Sequence, residues 1–139
     1  LQSIRKAPLV QCPQLKIIRI DMSIYFGSIN HIQKQISQIV DNQRIYHILI
    51  VASGVNFIDL AGIEALLIEN KRLKAQNGSL YFVAVKSTAY EFMEKVNFVN
   101  EIGRDNFFDS KADAINVLYD RLDKNKCETC QALVFKECN

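Results

Sequence analysis

The sulfur-containing side chains that could bind a metal are concentrated near the C-terminus. Cys127 and Cys130 are separated by two residues, and Cys138 follows close to the end of the chain. Two thiolates at this spacing can share one metal ion, with Cys138 as a third ligand. A fourth ligand would have to come from elsewhere, for instance Cys12, His31 or a second chain. A reduced tail is the simpler interpretation, so we expect no metal, and a metal or redox role for this tail is the alternative.

Other residue types that carry catalysis are few and poorly placed. His31 and His47 are the only histidines, and they fall at a polar helix boundary and at the start of a buried strand. Gly54 and Gly62 are too far apart for a dinucleotide- or phosphate-binding loop, and no Lys-Ser/Thr ending follows them. Because no nucleophile–base pair or carboxylate pair can be assembled, we expect no catalytic residue, no cofactor and no enzymatic activity.

The most informative segment runs from Ser53 to Gly62, between a predicted buried strand and a predicted helix. In open α/β sheets, ligands and partners bind at the carboxyl ends of the strands. We expect the same edge to include the turn Lys86-Ser87-Thr88 and the segment Tyr25–Ser28. The candidate ligand- or partner-binding loop contains the following residues: Ser53, Asn56, Asp59, Leu60, Ala61, Gly62, Lys86, Ser87 and Thr88.

The helix that begins at Asp59 or Leu60 allows two interpretations of this loop. Its first backbone N–H groups are free of intrahelical partners and carry a partial positive charge. Such a helix end suits an anion, a phosphorylated side chain or an acidic group of a partner. Alternatively, Asp59 acts as the N-cap and satisfies these donors internally.

The elements that must position the loop alternate between strands and helices. Strands are predicted at Leu15–Ile20, Tyr46–Ala52 and Ser79–Val85. The last two are nearly continuous apolar runs, which are typical of strands covered on both faces. Pro8–Gln11 is predicted to be a short antiparallel edge strand, where proline is tolerated. A further short strand is expected near Val99–Ile102.

Four helices are predicted from capping residues and from apolar residues at helical spacing. The first spans Ile29–Asn42 and is capped by Ser28. The second runs from Asp59 or Leu60 to about Asn77, and Gly78 is expected to be the left-handed residue at its end. The third is short and capped by Thr88, and the fourth is capped by Asp109 or Ser110. The order β-β-α-β-α-β-α-(β)-α predicts an α/β fold in which about four helices pack on a mixed sheet of four or five strands.

Length and composition exclude several classes of protein. The chain has 139 residues, of which 49% are hydrophobic and 23% charged, as in a single soluble domain. A net charge of +2 is too even to indicate binding to nucleic acid. No apolar run could span a bilayer, and we expect no signal peptide because the start, residues Leu1–Lys6, has no apolar region. The start at Leu1 suggests a fragment of a longer protein, with one domain over residues 1–126 and a cysteine-containing tail over 127–139.

Two stretches of the sequence resemble a known family. The strand Tyr46–Ala52 followed by Asn56-Phe57-Ile58-Asp59-Leu60-Ala61-Gly62-Ile63 resembles the signature of STAS domains, which are named for sulfate transporters and anti-sigma-factor antagonists. Leu15–Asp21 followed by Tyr25-Phe26-Gly27-Ser28 resembles the sulfate-permease (SulP) branch, and the cysteine tail is similar to the end of some bacterial members. The resemblance covers nearly the whole chain.

The resemblance implies a regulatory domain of a bacterial SulP-type transporter of sulfate or a related anion, contributing to transport regulation or assembly. The implied location is the cytoplasmic face of the bacterial inner membrane, as part of an integral membrane protein. The implied partners are the transmembrane domain of the parent transporter, a cytoplasmic protein or a nucleotide, and a second copy in a homodimer formed through the parent. No nucleic acid polymer is expected.

In the antagonists, a partner kinase phosphorylates a serine of the motif. The corresponding position here is Ala61, which has no hydroxyl, so a kinase switch cannot operate at this residue. Two other functions stay open. One is a free-standing module of the anti-sigma-factor-antagonist type, and the other, less favoured, is a flavodoxin-like cofactor-binding protein. The second would need a phosphate-binding loop, whereas Asp21–Ser28 contains one glycine.

Overall fold

A sheet of four parallel strands forms the centre of the computed structural model, which describes residues 15–121. The strands β1 (Leu15–Arg19), β2 (His47–Val51), β3 (Ser79–Val83) and β4 (Phe107–Phe108) lie side by side in chain order. β1 pairs with β2, and β2 with β3, over the full five residues of each strand. The three long strands therefore end at the same level, and the loops that follow them emerge at one edge of the sheet.

β2 and β3 are covered on both faces, as their apolar sequences predict. All five residues of β3 are buried, and in β2 the residues from Ile48 to Val51 are buried. Parallel strands need a crossover connection, which is usually a helix, so both faces become covered. β3 is shorter than predicted because Ala84 leaves the extended conformation, with φ at 61°.

The helices pack mainly on one face of the sheet. α1 (Ile29–Gln38), α2 (Leu60–Lys74), α3 (Ser87–Lys95) and α4 (Phe98–Ile102) contribute to the larger hydrophobic core, while α5 (Lys111–Arg121) covers the opposite face. The described residues contain one short helix more than predicted.

The end of the first helix differs in detail from the prediction of a helix to Asn42. Regular α-helix stops at Gln38, and the chain continues through a π-helical turn over Ile39–Gln43. Arg44 then takes the left-handed conformation with φ at 57°. Ile39 and Ile45 on either side of this reversal are both buried, so the wider turn redirects the chain into β2 without exposing either isoleucine.

At the end of α2, Gly78 is not the left-handed residue that the sequence predicted. The left-handed residue is Asn77, with φ at 64°. The Gly78 N–H donates to the Leu73 carbonyl at 2.8 Å, which closes the helix end. Glycine is required at position 78 because a Cβ there would collide with the carbonyl oxygen of Tyr46.

The predicted strand near Val99–Ile102 is wrong, because this segment belongs to the helix α4 and the strand lies later, at Phe107–Phe108. Asn97, with φ at 66°, turns the chain between α3 and α4. Phe98, Val99 and Ile102 are buried, which is the spacing of one helical face. The Phe107 ring stacks on Phe82, with centroids 5.2 Å apart.

Three predictions lie outside the described residues. They are the antiparallel strand at Pro8–Gln11, the domain boundary at residue 126, and the cysteine tail with Cys127, Cys130 and Cys138. All four described strands are parallel, so a mixed sheet would depend on the segment Pro8–Gln11.

Two buried polar side chains attach α2 to its neighbours. Glu69, 3% exposed, accepts hydrogen bonds from Gln33 of α1 at 3.1 Å and from Arg72 at 2.8 Å. The Asn70 side-chain oxygen accepts from the Leu80 N–H at 3.0 Å, where β3 begins. These bonds set the register of α2 against both α1 and the sheet.

Substitution Asn70→Ala tests this attachment. It leaves the buried Leu80 N–H without its acceptor. It also removes one of the two acceptors of the Ser79 hydroxyl, which lies 3.3 Å from the Asn70 oxygen and 3.1 Å from the Leu80 carbonyl oxygen. We expect the free energy of unfolding to fall by about 2 kcal/mol or more, measured by urea denaturation. Asn30→Ala, at an exposed position of α1, is the matched control and should change stability by less than about 0.5 kcal/mol. Equal effects of the two substitutions would contradict the assignment.

Candidate functional site

Three loops meet at the carboxyl edge of the sheet, as predicted. The loop between β1 and α1 runs beside the loop between β2 and α2, and Ile24 joins them. The Ile24 N–H donates to the Phe57 carbonyl at 3.0 Å, and the Ile24 carbonyl accepts from the Asp59 N–H at 3.0 Å. Ile24 and Ile58 form an isolated parallel bridge, so the two loops extend the strand pairing beyond the sheet.

The Asp59 carboxylate caps α2 and also binds the neighbouring loop. One oxygen accepts from the Gly62 N–H at 2.8 Å, and the other accepts from the Phe26 N–H at 3.2 Å. Of the two interpretations of this helix end, the structure therefore has the capped one. An external anion would have to displace a carboxylate that is already hydrogen-bonded at both oxygens.

Gly62 contributes to this edge by its small size. It is buried in the first turn of α2. A Cβ at this position would lie 2.6 Å from the Ile24 carbonyl oxygen and 2.8 Å from the Ile24 Cγ2. Gly62 therefore allows the helix to approach the first loop, and its role at the edge is to position Ile24.

Ser28 stands at the N-cap position of α1, as predicted, but makes no capping bond. Its hydroxyl instead accepts from the Tyr25 N–H at 3.1 Å and donates to the Ser23 carbonyl at 2.8 Å. Ser28 is buried and closes the loop between β1 and α1 on itself. This places Tyr25 and Phe26 on the outside of the loop.

The turn after β3 joins the edge through Lys86. Its ammonium group donates to the Asn56 side-chain oxygen at 2.6 Å. The prediction that Thr88 caps the third helix is wrong. α3 begins at Ser87, and Lys86 is at the N-cap position. Ser87 and Thr88 are exposed, and Ser53 is half-buried.

Large apolar side chains are exposed at this edge beside polar ones, which the sequence pattern did not predict. Most of the large exposed hydrophobic residues of the described chain lie here: Met22 at 40%, Tyr25 at 43%, Phe26 at 82%, Phe57 at 52% and Leu60 at 55% exposure. The Tyr25 and Phe57 rings are 6.0 Å apart. We call these five residues the apolar patch. Exposed apolar side chains clustered at one edge are typical of interaction sites.

Groups suited to metal binding or catalysis are not assembled in the described part of the chain. Residues 15–121 contain no group of three His, Cys, Asp or Glu side chains that could hold a metal ion. His31 is exposed, and the His47 Nδ1 lies 2.7 Å from the Tyr81 hydroxyl. No helix within the described residues has the length and apolar character needed to cross a membrane.

A cavity of about 370 Å³ lies beside β4, and Ala84 and Val85 of the loop after β3 form part of its lining. Tyr90, Phe107 and Arg104 are among its lining residues. The Arg104 guanidinium pairs with Glu94 at 2.6 Å, and its hydrogen bond with this carboxylate raises the pKa of Arg104. Because Arg104 is already paired with Glu94, its charge is not available to bind an anionic ligand in this cavity. The carboxyl edge of the sheet is therefore the better candidate for a functional site.

Four parallel strands covered by helices on both faces define an α/β domain. A family model for the STAS domain matches residues 6–114. The chain belongs to the STAS domain family, which confirms both the predicted fold and the resemblance.

Known relatives and solved structures agree with this assignment. Sulfate transporter 1.1 of Arabidopsis thaliana is 30% identical over 117 residues, which cover 77% of this chain and 18% of that protein. The chain thus spans under a fifth of that relative's length. The STAS domain of a SulP transporter from Vibrio cholerae has a TM-score of 0.65 at 14% identity, covering 86% of this chain and 96% of that one. A proposed anti-sigma factor antagonist of Thermotoga maritima has a TM-score of 0.64 at 15% identity, covering 74% and 86%.

Removal of the Asp59 carboxylate should weaken both of its attachments. We expect Asp59→Ala to lower the free energy of unfolding by about 1 to 2 kcal/mol through loss of the cap. Hydrogen exchange at the Phe26 amide should also become faster. Asp59→Asn keeps one oxygen for the Gly62 N–H, so it should cost less stability. Asp113→Ala, at an exposed position of α5, is the control, and unchanged Phe26 exchange in Asp59→Ala would contradict the second bond.

Gly62→Ala tests the close approach of α2 to the first loop. The added methyl group forces the Ile24 carbonyl to move, and we expect a loss of about 1 to 3 kcal/mol in the free energy of unfolding. Ala61→Ser, one residue earlier and half-buried, should change stability by only about 0.5 kcal/mol. Thermal denaturation of both variants provides the comparison, and a stable Gly62→Ala variant would show that the contact is easily relaxed.

Proposed function

We propose that the chain is the cytoplasmic regulatory domain of a SulP-type anion transporter and that it acts by docking rather than by catalysis. Membership of the STAS family and the relationship to a plant sulfate transporter support this proposal. The chain covers 18% of that transporter, so most of the transporter's length remains for a membrane part. The partner of first choice is the transmembrane domain of the parent protein.

The observation that carries the proposal is the apolar patch at the carboxyl edge. Phe26 and Phe57 expose 82% and 52% of their surface, although each is held by an ordered loop. Burial of such side chains against a partner is favourable because apolar surface is removed from water. The hydrogen bonds of Asp59 and Ile24 fix these loops before binding, so little conformational entropy is lost when a partner docks.

The chemistry of the edge favours a protein partner over a nucleotide. The N-terminus of α2 already holds the Asp59 carboxylate, which repels a phosphate at this position. Lys86, the nearby cation, is hydrogen-bonded to Asn56. What remains accessible is mainly aromatic and aliphatic surface, which suits a complementary apolar surface.

Because of Ala61, the charge of the docking surface cannot be changed by phosphorylation at this position. Ala61 occupies the position at which the antagonists carry a phosphorylatable serine, and it is half-buried in the first turn of α2. Without a hydroxyl, this position cannot acquire the charge that would switch binding off. We therefore propose a surface that is regulated through the partner or through the conformation of the transporter.

Uptake of labelled sulfate by the full-length parent protein tests the role of the patch. We expect Phe26→Ser together with Phe57→Ser to reduce uptake several-fold, with normal protein levels in the membrane. In a pull-down with the separately expressed membrane part, affinity should fall about tenfold or more, because each phenyl group loses burial. Val117→Ser, at an exposed apolar position of α5 on the other face of the sheet, is the matched control.

Two results would overturn the proposal. The first is a parent reading frame without membrane-spanning segments, which would favour a free-standing interaction module of the antagonist type. The second is normal uptake and normal binding in the double phenylalanine variant.

A further inference from the structure

The outward face of α2 carries apolar side chains where a surface helix normally carries polar ones. Leu60 and Ile68 are each 55% exposed, and Leu67 is only partly buried. The buried residues of α2 lie on the opposite side of the helix, at Ile63, Leu66, Asn70 and Leu73 among others. Leu67 lies at the border between the two sides and packs in part against the larger core. α2 thus has a second apolar face, which the described residues leave open.

Two opposite charges lie within this second face. Glu64 and Lys71 are exposed, and neither forms an ion pair with another residue of the described chain. At 100° per residue, both fall on the same side of the helix as Leu60, Leu67 and Ile68. A partner for this face should therefore supply one cation, one anion and a small apolar surface.

The positions of these residues are symmetric along the helix. Glu64 lies three residues before Leu67, and Lys71 lies three residues after Ile68. Leu60 lies seven residues before Leu67, and the small Ala75 lies seven residues after Ile68. Positions 64 and 71 are therefore equally far from the point between Leu67 and Ile68, and so are positions 60 and 75. A twofold axis through this point would place Glu64 opposite Lys71 of a second helix, and Leu60 opposite its Ala75.

We propose that this face binds the same face of a second copy of the chain, with the two α2 helices antiparallel across a twofold axis between Leu67 and Ile68. A twofold interface uses one self-complementary surface on both copies. Leu67 and Ile68 pack at the centre, and Glu64 of each copy pairs with Lys71 of the other. Leu60 packs over Ala75 of the second copy, whose short side chain lets the helices approach.

The orientation follows from the charges. Parallel packing of the two helices would bring Glu64 close to Glu64 and Lys71 close to Lys71, and like charges in contact are unfavourable. Antiparallel packing converts both repulsions into attractions. The contact is small, so we expect a weak dimer for the separate chain, and tethering of two copies in a larger assembly would raise its occupancy.

Charge reversal tests the proposal. The 139-residue chain is studied by sedimentation velocity in reducing buffer, over concentrations up to the millimolar range. We expect a reversible dimer that dissociates as salt is raised, because the ion pairs lie at the surface. Glu64→Lys and Lys71→Glu should each weaken the dimer at least tenfold, and the variant that combines both should regain the original affinity, because the pairs are restored with opposite sign.

Leu60 belongs both to this face and to the apolar patch, so the two surfaces are separated by variants at residues that lie in only one of them. Ile68→Ser should abolish dimerisation, while Val117→Ser should leave it unchanged, and circular dichroism confirms that each variant is folded. A chain that stays monomeric at every concentration would overturn the proposal. So would a double charge variant no tighter than the single ones, or a dimer that is lost in Phe26→Ser with Phe57→Ser but kept in Ile68→Ser.

Discussion

The Asp59 carboxylate is the interaction on which the functional edge depends. One oxygen accepts a hydrogen bond from the Gly62 N–H in the first turn of α2, and the other accepts from the Phe26 N–H of the neighbouring loop. The same residue donates its own N–H to Ile24, so side chain and backbone act on one loop. This arrangement allows large apolar side chains to remain exposed without collapsing, because the backbone beneath them is fixed by hydrogen bonds.

The parts of the fold that could be predicted are those in which one sequence pattern has a single interpretation. The apolar run ending at Ala52 is rich in β-branched residues and is followed by Ser53 and Gly54, which favours a covered strand. Asp59 before a helical pattern indicates a cap or an anion site. The prediction of a strand at Val99–Ile102 was wrong because a short apolar run fits a strand and a helix equally well. Its buried spacing, set by contact with α2 and β3, decides between them.

The candidate site was predicted in its location but not in its chemistry. Lys86 and Asn56 are distant in sequence, yet their contact follows from the parallel order of the strands. The exposure of Tyr25 and Phe26 does not follow, because an aromatic pair in a loop is as often buried as exposed. It depends on the Ser28 hydroxyl, which bonds inside its loop instead of capping α1. The nearest signal in the sequence was Phe57, an aromatic residue within a polar loop.

The regular spacing of the strands constrains how the chain reaches this structure. Leu15 pairs with His47 and His47 with Ser79, so each pairing spans 32 residues, from 15 to 47 and from 47 to 79. Within residues 15–121 no hairpin joins neighbouring strands, so the entropy of closing a long loop must be overcome before any of the described strand pairs forms. Local structure has to come first, and α2, with its cap and its closed C-terminus, is the segment best prepared for it. During synthesis β1 therefore stays without its neighbour until the whole of α1 and β2 have left the ribosome.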